Sequence, residues 1–279
     1  MPCFTRDGIQ FHYRDTHPGD NAGLTPFFFQ HGLGADSGQI FELFQPPAGF
    51  RLLSFDNRAH GETRPVGPEE KINIAQFADD WRAFLDHLHI ERAIIGGISM
   101  GAATALHFAL THPARVRGLV LSRAAWLDQP RGEEMRVFTT LAKFIRQHGA
   151  TKGAQKYQAS AAYQQVLQLA PENAAALLGQ FLHPRAEETV AKLERIPAHV
   201  PAHPRADWKK IMVPTLVLAN RRDAVHPFEF GDVLAREIPG AAFVEIAPKS
   251  AGLARHAAEV QRAVEEFLVK NFSNPPAAV

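Results

Sequence analysis

Gly97-Ile98-Ser99-Met100-Gly101 reads G-x-S-x-G and joins an apolar run, Ala93-Ile94-Ile95-Gly96, to a helix-like run from Ala102 to Leu110. A serine on such a strand-to-helix turn sits in a strained backbone conformation, and small residues two before and two after it relieve the crowding. Its hydroxyl then stands at the carboxyl edge of a sheet. There the Met100 N–H and the positive end of the following helix can stabilise an oxyanion. The strand before and the helix after distinguish this stretch from an ordinary glycine-rich turn.

Working outward, short apolar runs at 26–30, 51–55, 93–97, 118–122, 215–219 and 242–246 alternate with helical patterns at 74–89, 99–111, 228–237 and 255–270. Near-continuous apolar runs are what strands buried on both faces require. The alternation therefore predicts an α/β protein with a mainly parallel sheet and helices on both faces. Runs at 4–6 and 9–13 flank Asp7-Gly8, a two-residue hairpin signal. Between 124 and 208 the alternation breaks, and the patterns at 133–148, 153–169, 171–181 and 185–195 are all helical. This predicts a core of 1–123 and 209–279 carrying an inserted helical cap, 124–208, that acts as a lid over the active edge.

A length of 279 residues suits one large domain with an insertion. The net charge of +1 gives no electrostatic case for nucleic acid or an anionic membrane. One cysteine, Cys3, excludes an internal disulfide framework and a cysteine-based zinc site, which fits a reducing cytosol. The chain shows no hydrophobic signal core and no apolar run of membrane length, so a soluble, cytoplasmic protein is expected. Neither clustered metal ligands nor a phosphate-cradling glycine loop is present, and no cofactor or metal is expected.

Three further stretches carry chemistry. Phe28-Phe29-Gln30-His31-Gly32-Leu33-Gly34 runs from a strand into a His-Gly turn, and the Leu33 N–H is the natural second oxyanion donor beside Met100. His31 itself reads as a residue that shapes the turn. In the stretch 54–65, Asp56, Arg58 and His60 read as a polar network fixing a loop. Thr215 to Asp223 is a strand ending in a loop with one carboxylate, the place of a triad acid after the nucleophile, which nominates Asp223.

Together the His31-Gly32 turn, the Asp56-x-Arg58-x-His60-Gly61 loop, the Gly97–Gly101 elbow, Asp223 and the helical insertion resemble the α/β-hydrolase family, in that family's order and over nearly the whole chain. The resemblance implies an eight-stranded sheet with a cap, a serine nucleophile, an acid and a histidine base. It also implies reactions from ester, lactone, thioester and amide cleavage to C–C bond hydrolysis. One departure stands out. Such proteins usually carry a catalytic histidine in the loop after the last strand, and here that position falls near Ser250 in Ala247-Pro248-Lys249-Ser250-Ala251-Gly252-Leu253-Ala254-Arg255-His256.

Without a base a serine hydroxyl is a poor nucleophile. His256 lies in the right segment but several residues late, His226 follows the acid loop, and Lys249 offers a Ser–Lys arrangement. The expected reaction is cofactor-independent cleavage of a small, mainly apolar ester, lactone or related carbonyl compound. Ser99 attacks, Leu33 and Met100 hold the oxyanion, His256 moves the proton and Asp223 orients it. Trp126 and His226 are expected to contact substrate. The expected partner is a small-molecule substrate, with a homodimer left open. Two rivals remain: a binding or receptor protein on this scaffold whose base is lost, and a non-hydrolytic lyase- or oxygenase-type enzyme.

Overall fold

Consecutive strand residues point to opposite sides of a sheet, so a strand that is apolar at every position needs a cover on both faces. The computed structural model, which describes residues 2–19, 23–129, 133–199 and 203–273, meets that demand. Its eight strands are β1 (Cys3–Arg6), β2 (Ile9–Asp15), β3 (Thr25–Gln30), β4 (Phe50–Phe55), β5 (Ala93–Ile98), β6 (Val116–Ser122), β7 (Thr215–Ala219) and β8 (Ala242–Glu245). They form one sheet in the order β1-β2-β4-β3-β5-β6-β7-β8. β1 and β2 run antiparallel at one edge, and β3 to β8 are parallel. The β1–β2 turn has φ of 53° at Asp7 and 73° at Gly8. Two consecutive positive φ values are what a type I′ hairpin turn requires.

Odd and even strand positions divide cleanly between two cores. Phe27, Phe29, Leu52, Ile94, Val120 and Leu218 pack beneath α1 (Gly38–Leu43) and α9 (Leu253–Phe272). Their neighbours Phe28, Leu53, Ile95, Leu119, Leu121 and Val217 pack against α2 (Ile74–His87), α3 (Met100–Thr111) and, further along, α8 (Phe228–Glu237). Each large side chain so buried contributes about 1.5–3 kcal/mol. Asn73 begins α2 by accepting the Gln76 N–H at 2.9 Å, which satisfies one free helix-end donor.

The strand order places the site. β3 lies between β4 and β5, so the chain leaving β3 and the chain leaving β5 turn to opposite sides of the sheet. A crevice opens between them at the carboxyl ends of the strands. The loop after β4 is fixed by a polar network beside that crevice. Asp56 accepts the Ser37 and Glu62 amides at 2.8 Å each, and buried Arg58 pairs with buried Asp80 at 2.6 Å. His31 Nδ1 donates to the Gly32 carbonyl at 2.9 Å while its Nε2 accepts from the Asn57 amide at 3.2 Å. Burial pushes this imidazole's pKa down, in keeping with a neutral ring that shapes the turn.

Between β6 and β7 the chain forms α4 (Glu133–Gln158), α5 (Ala161–Leu169), α6 (Pro171–Leu182) and the short α7 (Lys192–Arg195). The pattern expected across 153–169 is split, because Ser160 caps a new helix by accepting the Tyr163 amide at 3.3 Å. α4 instead continues past 148 and kinks at Gly149 (φ 72°, ψ 171°). The segment expected to be helical over 185–195 is mostly turns and forms a helix only at α7. These elements share a third core, in which Met100, Trp126, Phe138, Tyr157, Phe181 and Leu193 meet. Among the described residues no helix is long and apolar enough to cross a membrane.

Candidate active site

β5 passes into α3 with no intervening loop, and Ser99 takes the turn at φ 57° and ψ −109°. A non-glycine residue at positive φ costs on the order of 1–3 kcal/mol, which the surroundings must hold in place. The flanking glycines make that possible. A Cβ on Gly97 would lie 2.4 Å from the Gly101 carbonyl carbon, and one on Gly101 would lie 2.6 Å from the Gln30 oxygen. The Ser99 amide donates to the Ser122 carbonyl at 3.0 Å, tying the turn to β6.

Ser99 lines a pocket together with Gly32, Leu33, Gln39, Phe138, Asn173, Leu177, Val225, His226 and Lys249. Among the described residues neither the Leu33 nor the Met100 amide donates a hydrogen bond. Both are therefore available to a ligand beside the serine. Gln39 holds the loop that carries Leu33 by accepting the Gly32 amide at 3.0 Å. From above, α6 closes the pocket with Asn173, Ala176, Leu177 and Gln180.

The carboxylate of Asp223, in the loop after β7, collects six donors. Arg123 reaches Oδ2 with Nη2 at 3.0 Å and Nε at 3.2 Å, Asn173 of α6 reaches Oδ1 at 3.0 Å, and the Val225 and His226 amides reach Oδ1 at 3.0 and 3.2 Å. His226 Nδ1 lies 2.9 Å from Oδ2. Burial alone would raise this carboxyl. The field and hydrogen bond of His226, then Arg123 and Asn173, outweigh it and hold the group well below the usual carboxylate range.

That ionisation settles the His226 tautomer. Nδ1 contacts both Asp223 Oδ2 at 2.9 Å and Arg123 Nη2 at 3.2 Å, and one proton cannot suit both neighbours. An ionised carboxylate only accepts, so Nδ1 carries the proton and the Arg123 hydrogen points to Asp223. The Nε2 lone pair is left for the pocket. Burial lowers the pKa of His226; Asp223 opposes the drop and Arg123 adds to it, and the net shift is downward. The ring is consequently neutral at pH 7.

The structure thus gathers Ser99, Leu33 and His226 around one pocket, with Asp223 held against the His226 ring. It places His256 and Trp126 elsewhere. His256 stands in the first turn of α9, buried, with Nδ1 donating to the Ala247 carbonyl at 2.7 Å, and among the described residues it bonds to neither Ser99 nor Asp223. Glu259 pins the same residue by accepting the Ala247 amide at 2.6 Å, so the chain just after β8 and the start of α9 are locked together. Ser250 lies exposed on the 3-10 turn Lys249–Ala251. Trp126 lines a second cavity with Leu106, Leu110, His107, His203 and Trp208.

Arg123 and Asn173 carried no sequence signal for this site. Arg123 directly follows β6, and Asn173 arrives from a helix 50 residues upstream of the acid. Lys249, weighed as a base, lines the pocket with its pKa lowered to about 8, by Arg123 first and burial second. No group of three or more His, Cys, Asp or Glu among the described residues is placed to hold a metal ion.

This sheet, with its strained serine between β5 and α3, is that of an α/β-hydrolase. The chain belongs to the alpha/beta hydrolase fold family, whose profile matches residues 25–250. It is similar to 3-oxoadipate enol-lactonase 2 of Acinetobacter baylyi, 26% identical over 242 residues that cover 82% of this chain and 86% of the relative. A putative carbamate hydrolase of Pseudomonas syringae pv. syringae is 27% identical over 237 residues, covering 83% and 88%. Among solved structures, the enol-lactonase from Burkholderia xenovorans LB400 superposes with a TM-score of 0.72 at 27% identity, over 96% of this chain and 100% of the other.

Proposed function

We propose that this α/β-hydrolase is a cofactor-independent serine hydrolase that cleaves a small ester or lactone through an acyl-enzyme, with His226 rather than His256 as its base. The observation that carries this reading is the 2.9 Å contact between His226 Nδ1 and ionised Asp223 on the wall of the pocket that holds Ser99. His226 Nε2 removes the Ser99 proton as Oγ attacks the carbonyl carbon, and Asp223 holds the tautomer and stabilises the imidazolium. The Leu33 and Met100 amides take the oxyanion. The C–O bond then breaks, the alcohol oxygen leaves with the proton from Nε2, and water repeats the cycle to release the acid. In a lactone the leaving alcohol stays tethered until hydrolysis. The helical insertion 124–208 acts as the lid, with α6 reaching the acid through Asn173.

Enol-lactonases and hydrolases among the relatives support the reaction class. A fluorophosphonate probe tests the nucleophile. The wild type is expected to be labelled at Ser99, and Ser99→Ala to lose labelling and about 10⁴- to 10⁶-fold in ester turnover. A ligand-binding protein without turnover is the other reading, favoured by the lack of any hydrogen bond to Ser99 Oγ among the described residues. Apo catalytic contacts are often long, so labelling rather than geometry decides.

A further inference from the structure

Among the described residues, Arg123 and Lys249 are the cations that line the pocket, and of the two only Arg123 is paired with a carboxylate. Arg123 directs Nε and Nη2 to Asp223. Lys249 does not share in that pair, and among the described residues no carboxylate lies within 4.0 Å of its ammonium. Its side chain stands at a junction. Gln39, Ile98, Arg123 and Lys249 line both the Ser99 pocket and an adjoining cleft that continues to Leu253, His256 and Ala257. That cleft occupies the space beside the loop after β8, where Ser250 turns outward to solvent.

From this geometry we propose that Lys249 is the counterion of a substrate carboxylate, so that the enzyme prefers an ester or lactone bearing an acid group a few bonds from the scissile carbonyl. A half-buried ammonium without an anion is costly, and a carboxylate at the junction would restore its balance. The lowered pKa of Lys249 agrees: Arg123 and burial depress it, and the opposing pull of Asp223 and Glu172 does not compensate. The neighbouring groups fix where the acid sits. His256 donates Nδ1–H to Ala247, so its neutral ring presents only an acceptor nitrogen to the cleft and suits a hydroxyl, not a carboxylate. Glu42 lines the same cleft and repels an anion placed further along it. The carboxylate therefore belongs at Lys249.

This deepens the serine-hydrolase reading and rests on it for turnover. The experiment compares the 4-nitrophenyl half-ester of glutaric acid with neutral 4-nitrophenyl pentanoate. The wild type is expected to favour the half-ester in kcat/KM, and Lys249→Met to lower that preference ratio about 10- to 100-fold, through KM, with Lys249→Arg recovering most of it. A wild type that favours the neutral ester overturns the proposal. So does a Lys249→Met that slows both esters equally, which is the signature of a base or a structural prop. Absence of turnover with either ester, together with absence of Ser99 labelling, would instead overturn the hydrolase reading. In that case calorimetric titration of Ser99→Ala with monomethyl glutarate reads the same cation: binding lost in the Lys249→Met double variant supports it, and binding that is absent or insensitive to Lys249 overturns it.

Discussion

The loops that leave the last two strands of the sheet differ sharply in what they do with their polar groups. The loop after β7 folds back on itself, so that Asp223 bonds the amides and the ring of residues two and three positions on, and Arg123 and Asn173 converge from β6 and α6. The loop after β8 ties itself to its own helix. Ala247 is held by Glu259 on one side and receives His256 on the other. One loop sets its ring in the wall of the serine's pocket, and the other gives its ring to the main chain. A base is useful only where its free nitrogen meets the nucleophile, so proton transfer is expected to have moved from the β8 loop to the β7 loop.

The largest expected effect tests that contrast directly. His226→Gln is expected to lower kcat by about 10⁴- to 10⁶-fold, while His256→Gln costs less than about tenfold. Steady-state kinetics on an activated ester, with thermal unfolding to confirm both variants fold, would decide it. The reverse ranking would return the base to the β8 loop. The sign of the pH dependence follows from the same ring. A base works unprotonated, and burial lowers the His226 pKa from its ordinary value, so kcat/KM should rise with pH along an acid limb and level off by neutrality.

Arg123 sharpens the comparison further, because it competes with His226 for the Asp223 charge. Removing it as Arg123→Met deletes a cation that depresses the His226 pKa. The acid limb of the pH profile is therefore expected to move upward, with activity at pH 5 falling more than activity at pH 7. Loss of one partner of a buried ion pair costs up to about 3–5 kcal/mol. Asp223 keeps four other donors here, so a smaller fall in denaturation midpoint is expected. An acid limb that stays in place would show that His226 is not the titrating group.

How much of this could be read beforehand follows from range in sequence. The strands and the elbow are local: the apolar run at 93–97 becomes β5 (Ala93–Ile98), and Gly97 and Gly101 flank the serine within one turn. α1 escaped because six residues carry too little periodicity, and the break at Ser160 escaped because capping acts over three residues inside an unbroken apolar pattern. Asp223 could be nominated from its place after a strand. The partner of its carboxylate could not, since that choice depends on how the Ala224-Val225 turn closes and on whether β8 and α9 release His256. Asn173 depends on the docking of α6, which no local pattern encodes.

The smallest expected effect is the most direct probe of why the β8 loop is silent. Ser250 marks the position where a histidine was expected, and Ser250→His would supply one. Its side chain, however, points to solvent from the Lys249–Ala251 turn, whose Ala251 and Gly252 amides bond back to Pro248 and Lys249 at 2.9 and 3.0 Å. An imidazole there must break that turn to approach Ser99, and Asp223 already has His226 on Oδ2. The variant is therefore expected to change kcat by less than about threefold and, as a surface change, stability by less than about 0.5 kcal/mol. If instead Ser250→His rescued His226→Gln by a hundredfold or more, the two loops would be interchangeable, and the difference between them would lie in side-chain identity alone.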